Sequence, residues 1–295
     1  MFGMNEIVGK AFFKDAPKDQ LLVTSRFYTL QGEGPFRGHP AYFIRLAKCN
    51  LACSFCDTYF DSGTWQTFDE ILKESETQVH AFYAARDLEV PYWAAQGPRS
   101  KIILVITGGE PSLQNNLVPF LERANKLFGY TQIESNGISV LNGLPKETVL
   151  VVSPKCLEKN GKAIRYLAPN KEMLDRADCL KFVMCADKYN DPNKFHPYSE
   201  VPEWAHEWAK ETGKDVYVSP MNIYKQEPKR AKLLRDGGKD IDIELRSEVN
   251  ERISFWDPDL LDRIQNQLNH EYTAEYCMTH GFILNLQLHL YASLP

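Results

Sequence analysis

The sequence predicts an α/β fold, a largely parallel sheet with helices on its outside. Three observations carry that prediction. Short β-branched apolar runs recur along the chain, amphipathic stretches of helical period separate them, and one run after another ends in small and polar residues. Strand–helix alternation requires crossover connections and therefore parallel strands, in an open doubly wound sheet or in a full or partial barrel.

The apolar runs place strands over 21–30, 41–46, 102–107, 130–134, 149–153, 180–184, 216–219 and 282–287. Helical patterns fill 68–86, 112–128, 202–212 and roughly 258–277, with Ser112 as an N-cap and Gly129 where a helix would stop. Two stretches read as insertions. Residues 61–101 are long for one crossover and carry Pro91, Tyr92, Trp93, Gly97 and Pro98; residues 188–214 carry Pro192, Pro197 and Pro202. Surface insertions are thermodynamically tolerated and often shape an active-site mouth. With no repeat and no low-complexity linker, residues 1–295 read as one domain.

Composition narrows the class of protein. Hydrophobic residues make up 43% and charged residues 25% of the 295, which is globular usage and excludes a disordered chain or a fibre. Lys and Arg number 34 against 39 Asp and Glu, a net charge of −5 that argues against a nucleic-acid binder working through a broad basic face. The longest uninterrupted apolar stretch, 102–106, is too short to cross a bilayer. The start, MFGMNEIVGK, lacks the apolar core of a secretory signal, so the expectation is a soluble cytoplasmic protein without a membrane partner.

The cysteines point to chemistry. There are seven, an odd number that does not suggest a disulfide framework, and three of them fall within eight residues as Cys49-x3-Cys53-x2-Cys56. Thiolates suit iron–sulfur clusters or zinc. Three can hold three irons of a cubane and leave the fourth open to an outside ligand. A structural zinc would need a fourth protein ligand, for which Cys156, Cys179 or a histidine is available, and buried free thiols are a third reading. Cys156, Cys179, Cys185 and Cys277 form no compact motif and read as core thiols.

The strand ends carry polar tips: Thr107-Gly108-Gly109-Glu110-Pro111, Glu134-Ser135-Asn136-Gly137, Ser153-Pro154-Lys155, Ser219-Pro220-Met221-Asn222 and Gln287-Leu288-His289. In a parallel sheet these carboxyl ends share one face, where ligands bind. Loop punctuation explains any single tip, but five at corresponding positions are less easily dismissed.

C-x3-C-x2-C after one strand, with Gly-Gly-Glu ending the next, resembles the radical S-adenosylmethionine (SAM) superfamily. Leu30-Gln31-Gly32-Glu33-Gly34, Phe43-Ile44-Arg45-Leu46, Cys49-Asn50-Leu51, Cys56-Asp57-Thr58 and the tips that begin at Thr107, Glu134, Ser153 and Gln287 together resemble the 7-carboxy-7-deazaguanine synthase family. The resemblance implies a modified, partial (β/α)6-type radical SAM barrel with inserted segments. It also implies conversion of 6-carboxy-5,6,7,8-tetrahydropterin to 7-carboxy-7-deazaguanine and ammonia, by 5′-deoxyadenosyl-radical hydrogen abstraction at C6 and ring contraction. Rival readings are another radical SAM enzyme, such as a glycyl-radical activating enzyme, and a non-catalytic metal-binding protein.

Carried over residue by residue, the resemblance makes Cys49, Cys53 and Cys56 ligands of a 4Fe-4S cluster and Thr58 a ligand of Mg²⁺. Phe55, Cys56, Asp57, Gly109, Glu110, Ser135, Ser153, Pro154, Lys155, Ser219, Pro220, Met221 and Asn222 would hold SAM. Leu30, Gln31, Gly32, Glu33, Arg45, Thr107, His289 and the terminal carboxylate of Pro295 would meet the pterin. Residue chemistry alone leaves alternatives: a helix-start role for Glu110, a turn or cap for Thr58, a surface ion pair for Arg45, a core histidine for His289 and a frayed tail for Pro295. An external flavodoxin-like electron donor and a homodimer are expected from the resemblance only, with no direct nucleic-acid partner.

Overall fold

The computed structural model describes residues 6–56, 58, 60–186, 196–225, 255–257 and 259–294. Its centre is an open nine-stranded sheet. In chain order the strands are β1 (Gln20–Leu30), β2 (Pro40–Leu46), β3 (Thr64–Thr67), β4 (Ile103–Gly108), β5 (Tyr130–Ser135), β6 (Thr148–Val152), β9 (Cys179–Met184), β10 (Val216–Pro220) and β11 (Ile283–Leu284). Their spatial order is β11-β10-β9-β6-β5-β4-β2-β1-β3, so β3 and β11 are opposite edges and, among the described residues, the sheet does not close into a barrel. Every pair from β2 to β11 is parallel, whereas β1 is antiparallel to both β2 and β3. A separate hairpin, β7 (Cys156–Lys159) and β8 (Lys162–Tyr166), lies between β6 and β9 in the chain.

Alternation along the strands decides which face does what, because successive side chains point to opposite faces. Ile44 and Leu46 of β2, Leu104 and Ile106 of β4, Ile133 of β5, Leu150 and Val152 of β6, Leu180 and Phe182 of β9 and Val216 and Val218 of β10 join one apolar cluster. That cluster takes in Ile71 and Leu72 of α1 (Phe68–Ala84), Phe120 and Leu121 of α2 (Leu117–Ala124) and Ala205 and Trp208 of α4 (Glu203–Thr212). Met173 of α3 (Lys171–Arg176) and Cys277 of α5 (Arg263–His280) complete it. The intervening residues face the other way. Phe43, Arg45, Thr107, Glu134, Lys181, Val183 and Ser219 line a cleft. A short helix, α6 (Leu288–Tyr291), closes one side of it.

Several expected boundaries shift for identifiable reasons. Ser112 is not the N-cap of a long helix: Pro111–Leu113 form a 3-10 turn, and α2 begins at Leu117. The turn delivers Gln114 to the sheet, where its amide accepts from Leu22 N at 2.9 Å and donates to Leu22 O at 2.9 Å. Gly129 lies beyond the end of α2, and a Cβ there would fall 2.4 Å from the Ser100 carbonyl oxygen. The helix expected from about 258 starts later, at Arg263, where Asp262 Oδ1 accepts from Gln265 N. The 61–101 stretch contributes β3, α1 and an irregular return that seats Ala94 in the main cluster. Most of the first half of 188–214 lies outside the described residues; its second half holds α4. Among the described residues no helix is long and apolar enough to cross a membrane.

Candidate active site

The cleft sits at the carboxyl ends of the parallel strands and holds about 1440 Å³ of empty space, its open mouth included. Cys49, Cys53, Phe55, Cys56 and Thr58 line it from the loop after β2. Leu30, Gln31 and Glu33 line it from the end of β1, Arg45 from β2, and Thr107, Gly109 and Glu110 from β4. Ser135, Ser153, Lys155, Ser219, Pro220, Met221, Asn222 and His289 of the expected set line it as well. Gly32 and Pro154 do not line the cleft. Gly32 lies behind His289, whose Nδ1 would be 2.5 Å from a Cβ at that position. Asp57 and Pro295 lie outside the described residues.

The cysteine loop is held against the Gly-Gly-Glu turn by backbone contact. Gly109 N donates to Leu46 O, and Glu110 N donates to Lys48 O, each at 2.8 Å. A Cβ on Gly109 would lie 1.8 Å from the Lys48 carbonyl oxygen, and one on Gly108, at φ +114°, would lie 2.3 Å from Leu46 N. Only glycine permits that approach. The glycines therefore close the sheet's end against the chain leading into Cys49.

Glu110 is 1% exposed and helps to build this wall. Oε1 accepts from Ser112 N at 2.9 Å and from Ser135 Oγ at 2.7 Å, while Oε2 accepts from Asn136 N at 2.7 Å. Asn136 in turn donates through Nδ2 to Asn50 Oδ1 at 2.7 Å, tying the end of β5 to the cysteine loop. A carboxylate has about four acceptor positions, so three donors leave about one unused on this cleft-lining residue.

None of the three is in a disulfide, and all three bring soft donors to the cleft. Burial pushes Cys49 up to about 12, with Glu110 adding to the rise. Burial likewise pushes Cys53 up to about 11, Lys155 opposing and Glu158 reinforcing it. Neutral thiols of this kind must release protons when they bind iron. Among the described residues no three His, Cys, Asp or Glu side chains converge as a single ion requires. A cluster spreads its thiolates further apart than one ion does, and the other four cysteines do not line the cleft. The donor set thus fits a three-thiolate cluster better than a closed zinc site.

In the same cleft, the inward face of the sheet carries a buried ionic network. Lys181 Nζ, on a residue 6% exposed, donates to Glu134 Oε2 at 2.6 Å and to Glu33 Oε2 at 3.0 Å. Burial alone would push this ammonium down; the two carboxylates more than offset it and hold it above its ordinary value. Gln31 Nε2 donates to Glu134 Oε1 at 3.3 Å, and Ser219 Oγ donates to Glu33 Oε1 at 3.1 Å. Asn285 joins them, donating through Nδ2 to Ser219 Oγ at 2.8 Å and accepting at Oδ1 from Gly34 N at 2.9 Å. The Arg45 guanidinium lies 4.9 Å from the centre of the Phe27 ring, and Arg45 pairs in register with Thr107 across β2 and β4.

The neighbouring wall is ordered from behind. Lys155 Nζ donates to Ser153 Oγ at 2.6 Å and to Ser153 O at 2.7 Å, and burial holds its ammonium below its ordinary value. Asn222 donates through Nδ2 to Gln287 Oε1 at 2.6 Å, and its Oδ1 meets His270 Nε2 at 3.3 Å. Burial pushes His270 down, which favours the neutral ring, whose Nδ1 faces Tyr291 OH at 2.9 Å.

Sequence reasoning missed Glu134, Asn136, Lys181 and Gln287 as individual lining residues, although three of them stand in motifs it had singled out. For Lys181 the available signal was a charge inside an apolar strand, Leu180-Lys181-Phe182.

Fold and site together define a class: an open parallel α/β sheet with a three-thiol loop and a polar cleft at its strand ends. No family model matches the chain. It is 30% identical over 258 residues to the 7-carboxy-7-deazaguanine synthase of Rickettsia prowazekii, covering 86% of this chain and 92% of that protein. It is 33% identical over 195 residues to the synthase of Rhodospirillum rubrum, covering 65% and 68%. The chain belongs to the 7-carboxy-7-deazaguanine synthase family. A solved structure of QueE from Escherichia coli aligns over 96% of this chain and 99% of that one, at 19% identity and a TM-score of 0.48.

Proposed function

We propose that this chain is a radical SAM enzyme that converts 6-carboxy-5,6,7,8-tetrahydropterin to 7-carboxy-7-deazaguanine and ammonia, in queuosine and 7-deazapurine biosynthesis. The observation that carries the reading is that a single cleft is lined both by three thiols outside any disulfide and by a Gln–Glu–Lys–Arg set. Family membership supplies the reaction, and the cleft supplies residues suited to it.

Cys49, Cys53 and Cys56 would hold the 4Fe-4S cluster, which with bound SAM supplies a 5′-deoxyadenosyl radical able to take hydrogen from C6 of the pterin. The chain's own work is positioning and shielding. Glu110 can offer its remaining acceptor position to the ammonium of SAM, while Ser135, Ser153, Lys155 and the 219–222 turn would border the rest of that molecule. Gln31, Glu33 and Glu134 present acceptors to an amino-pyrimidine edge, and Arg45 suits a carboxylate. His289 borders the same space. Thr58 offers a hard oxygen beside Cys56, consistent with a Mg²⁺ that keeps waters and takes substrate oxygens. A flavodoxin-like electron donor and a homodimer belong to the same proposal and rest on the family resemblance.

The test is anaerobic iron–sulfide reconstitution followed by mass spectrometry of products formed with SAM, a reductant, Mg²⁺ and the carboxytetrahydropterin. The deazaguanine and 5′-deoxyadenosine are expected together. SAM cleavage without the deazaguanine would point to another radical SAM reaction, and a chain that takes up zinc but no iron would overturn the enzymatic reading.

A further inference from the structure

The loop that carries the thiols has little internal order, and the elements that order it come from elsewhere in the chain. Residues 51–56 form neither strand nor helix, and the loop's own backbone bond is Cys56 N to Cys53 O at 3.2 Å. Ser54 N, one residue past Cys53, donates instead to Glu158 Oε2 at 2.9 Å. Glu158 belongs to the β7–β8 hairpin, which is not part of the main sheet.

The second carboxylate oxygen of Glu158 has its own partner. Tyr198 OH donates to Glu158 Oε1 at 3.3 Å and accepts from Cys156 N at 3.0 Å. Its hydroxyl is thereby used in both directions, as a buried phenol at 1% exposure requires. The Tyr198 ring packs edge-on against Phe55 at 5.0 Å and against Tyr166 at 5.6 Å. These residues form a small apolar cluster with Cys156, Cys185 and Met221, distinct from the main core.

From this arrangement we propose that Glu158 and Tyr198 are positioning residues that brace the Cys53–Cys56 loop, one through the Ser54 backbone and the other through the Phe55 ring. The hairpin and the segment after residue 195 thereby hold the thiols in the spacing a cluster needs before it binds. The inference rests on the reading of Cys49, Cys53 and Cys56 as cluster ligands and adds residues that touch neither cluster nor substrate.

The experiment uses the full chain with E158A, E158Q and Y198F, each reconstituted anaerobically with iron and sulfide. It reads iron per chain, the rate of cluster loss in air, the change in the reduced cluster's electron paramagnetic resonance spectrum on adding SAM, and the thermal midpoint of the metal-free chain. Losing one hydrogen bond to the loop should speed cluster loss in E158A by roughly fivefold. The metal-free midpoint should stay near that of the parent. E158Q keeps an acceptor for Ser54 N and should restore loading towards the parent level. Y198F keeps the ring on Phe55 but loses both hydroxyl bonds, and should fall between them.

Equal iron content and equal cluster lifetime in E158A and the parent would overturn the brace. So would a midpoint that falls in step with iron content in all three variants, since that describes general destabilisation. A parent chain that itself takes up no iron would overturn the cluster reading and the brace with it, and the parent's own iron content separates that failure from the other two.

Discussion

Two side chains of the cleft show how much of its geometry depends on single charges. Glu110 accepts three hydrogen bonds while 1% exposed, and two of them come from backbone N–H groups that have no rotatable alternative. In Glu110→Gln one oxygen becomes an NH2 that must face a donor. A hydrogen bond to a charged group contributes about 1.5–3 kcal/mol, so the variant should lose about 2–3 kcal/mol of stability in urea unfolding. Iron loading should fall with it, because the same carboxylate links the ends of β4 and β5 to the Asn136–Asn50 bond. Lys181 is the mirror case, a buried cation between two carboxylates whose side chains are 16% and 14% exposed. Lys181→Met strands both anions and should cost about 3–5 kcal/mol, the range for breaking a buried pair by removing one partner. Adding Glu134→Gln to Lys181→Met should recover part of that loss in the same unfolding experiment, since one of the stranded charges is gone.

At the level of elements, two helices are fixed by polar rather than apolar chemistry. Helix α1 starts with a reciprocal cap: Thr67 Oγ1 accepts from Glu70 N at 3.2 Å, and Glu70 Oε2 accepts from Thr67 N at 2.7 Å. The backbone bond from Thr67, followed by the Thr67 hydroxyl, lowers Glu70 below its ordinary value of 4.5. A depressed carboxylate contributes stability that is present above the unfolded value and lost as pH falls through the folded one. The stability difference between the parent and Thr67→Ala, about 1 kcal/mol at neutral pH, should therefore shrink below pH 4.5 when followed by urea unfolding. Helix α5 buries Asn266, Asn269 and Thr273, a polar stripe at helical spacing. Asn269 accepts from Ala186 N at 2.8 Å and donates to Met221 O at 2.6 Å, holding the turns after β9 and β10. Such a stripe looks like a solvent face when read by hydropathy, and the helix starts at Arg263 rather than near 258 because Asp262 caps it. The hairpin β7–β8 escaped for a related reason: its strands are largely exposed and lack apolar alternation. Its turn, Asn160-Gly161 with φ of +52° and +71°, was the legible signal, since adjacent left-handed residues of this type close two-residue hairpins.

Across the whole molecule, the parallel strands were readable because their outward residues are almost uniformly apolar, and the cleft was readable because their carboxyl ends are not. The antiparallel pairing of β1 was not readable, since an apolar strand carries no mark of its direction. The same architecture makes a thermodynamic prediction. The cleft takes residues from β1, β2, β4, β5, β6, β9 and β10 and their following loops, so a ligand seated there contacts structure contributed from residue 27 to residue 289. A ligand that bridges so many strand ends should stabilise the folded chain as a unit and leave the unfolded chain unaffected. At a SAM concentration 100 times its dissociation constant, that stabilisation is about 2.7 kcal/mol. For a chain somewhat larger than 150–250 residues, each kcal/mol moves the midpoint by about 2–4 °C, so the reconstituted protein should melt about 5–10 °C higher with SAM than without it. Differential scanning fluorimetry under anaerobic conditions measures the shift. In Cys53→Ala, where the iron that would chelate SAM is not held, the shift should vanish while the metal-free midpoint changes little. A shift of the same size in Cys53→Ala would mean that SAM binds without the cluster, and the three-thiol loop would then have another purpose.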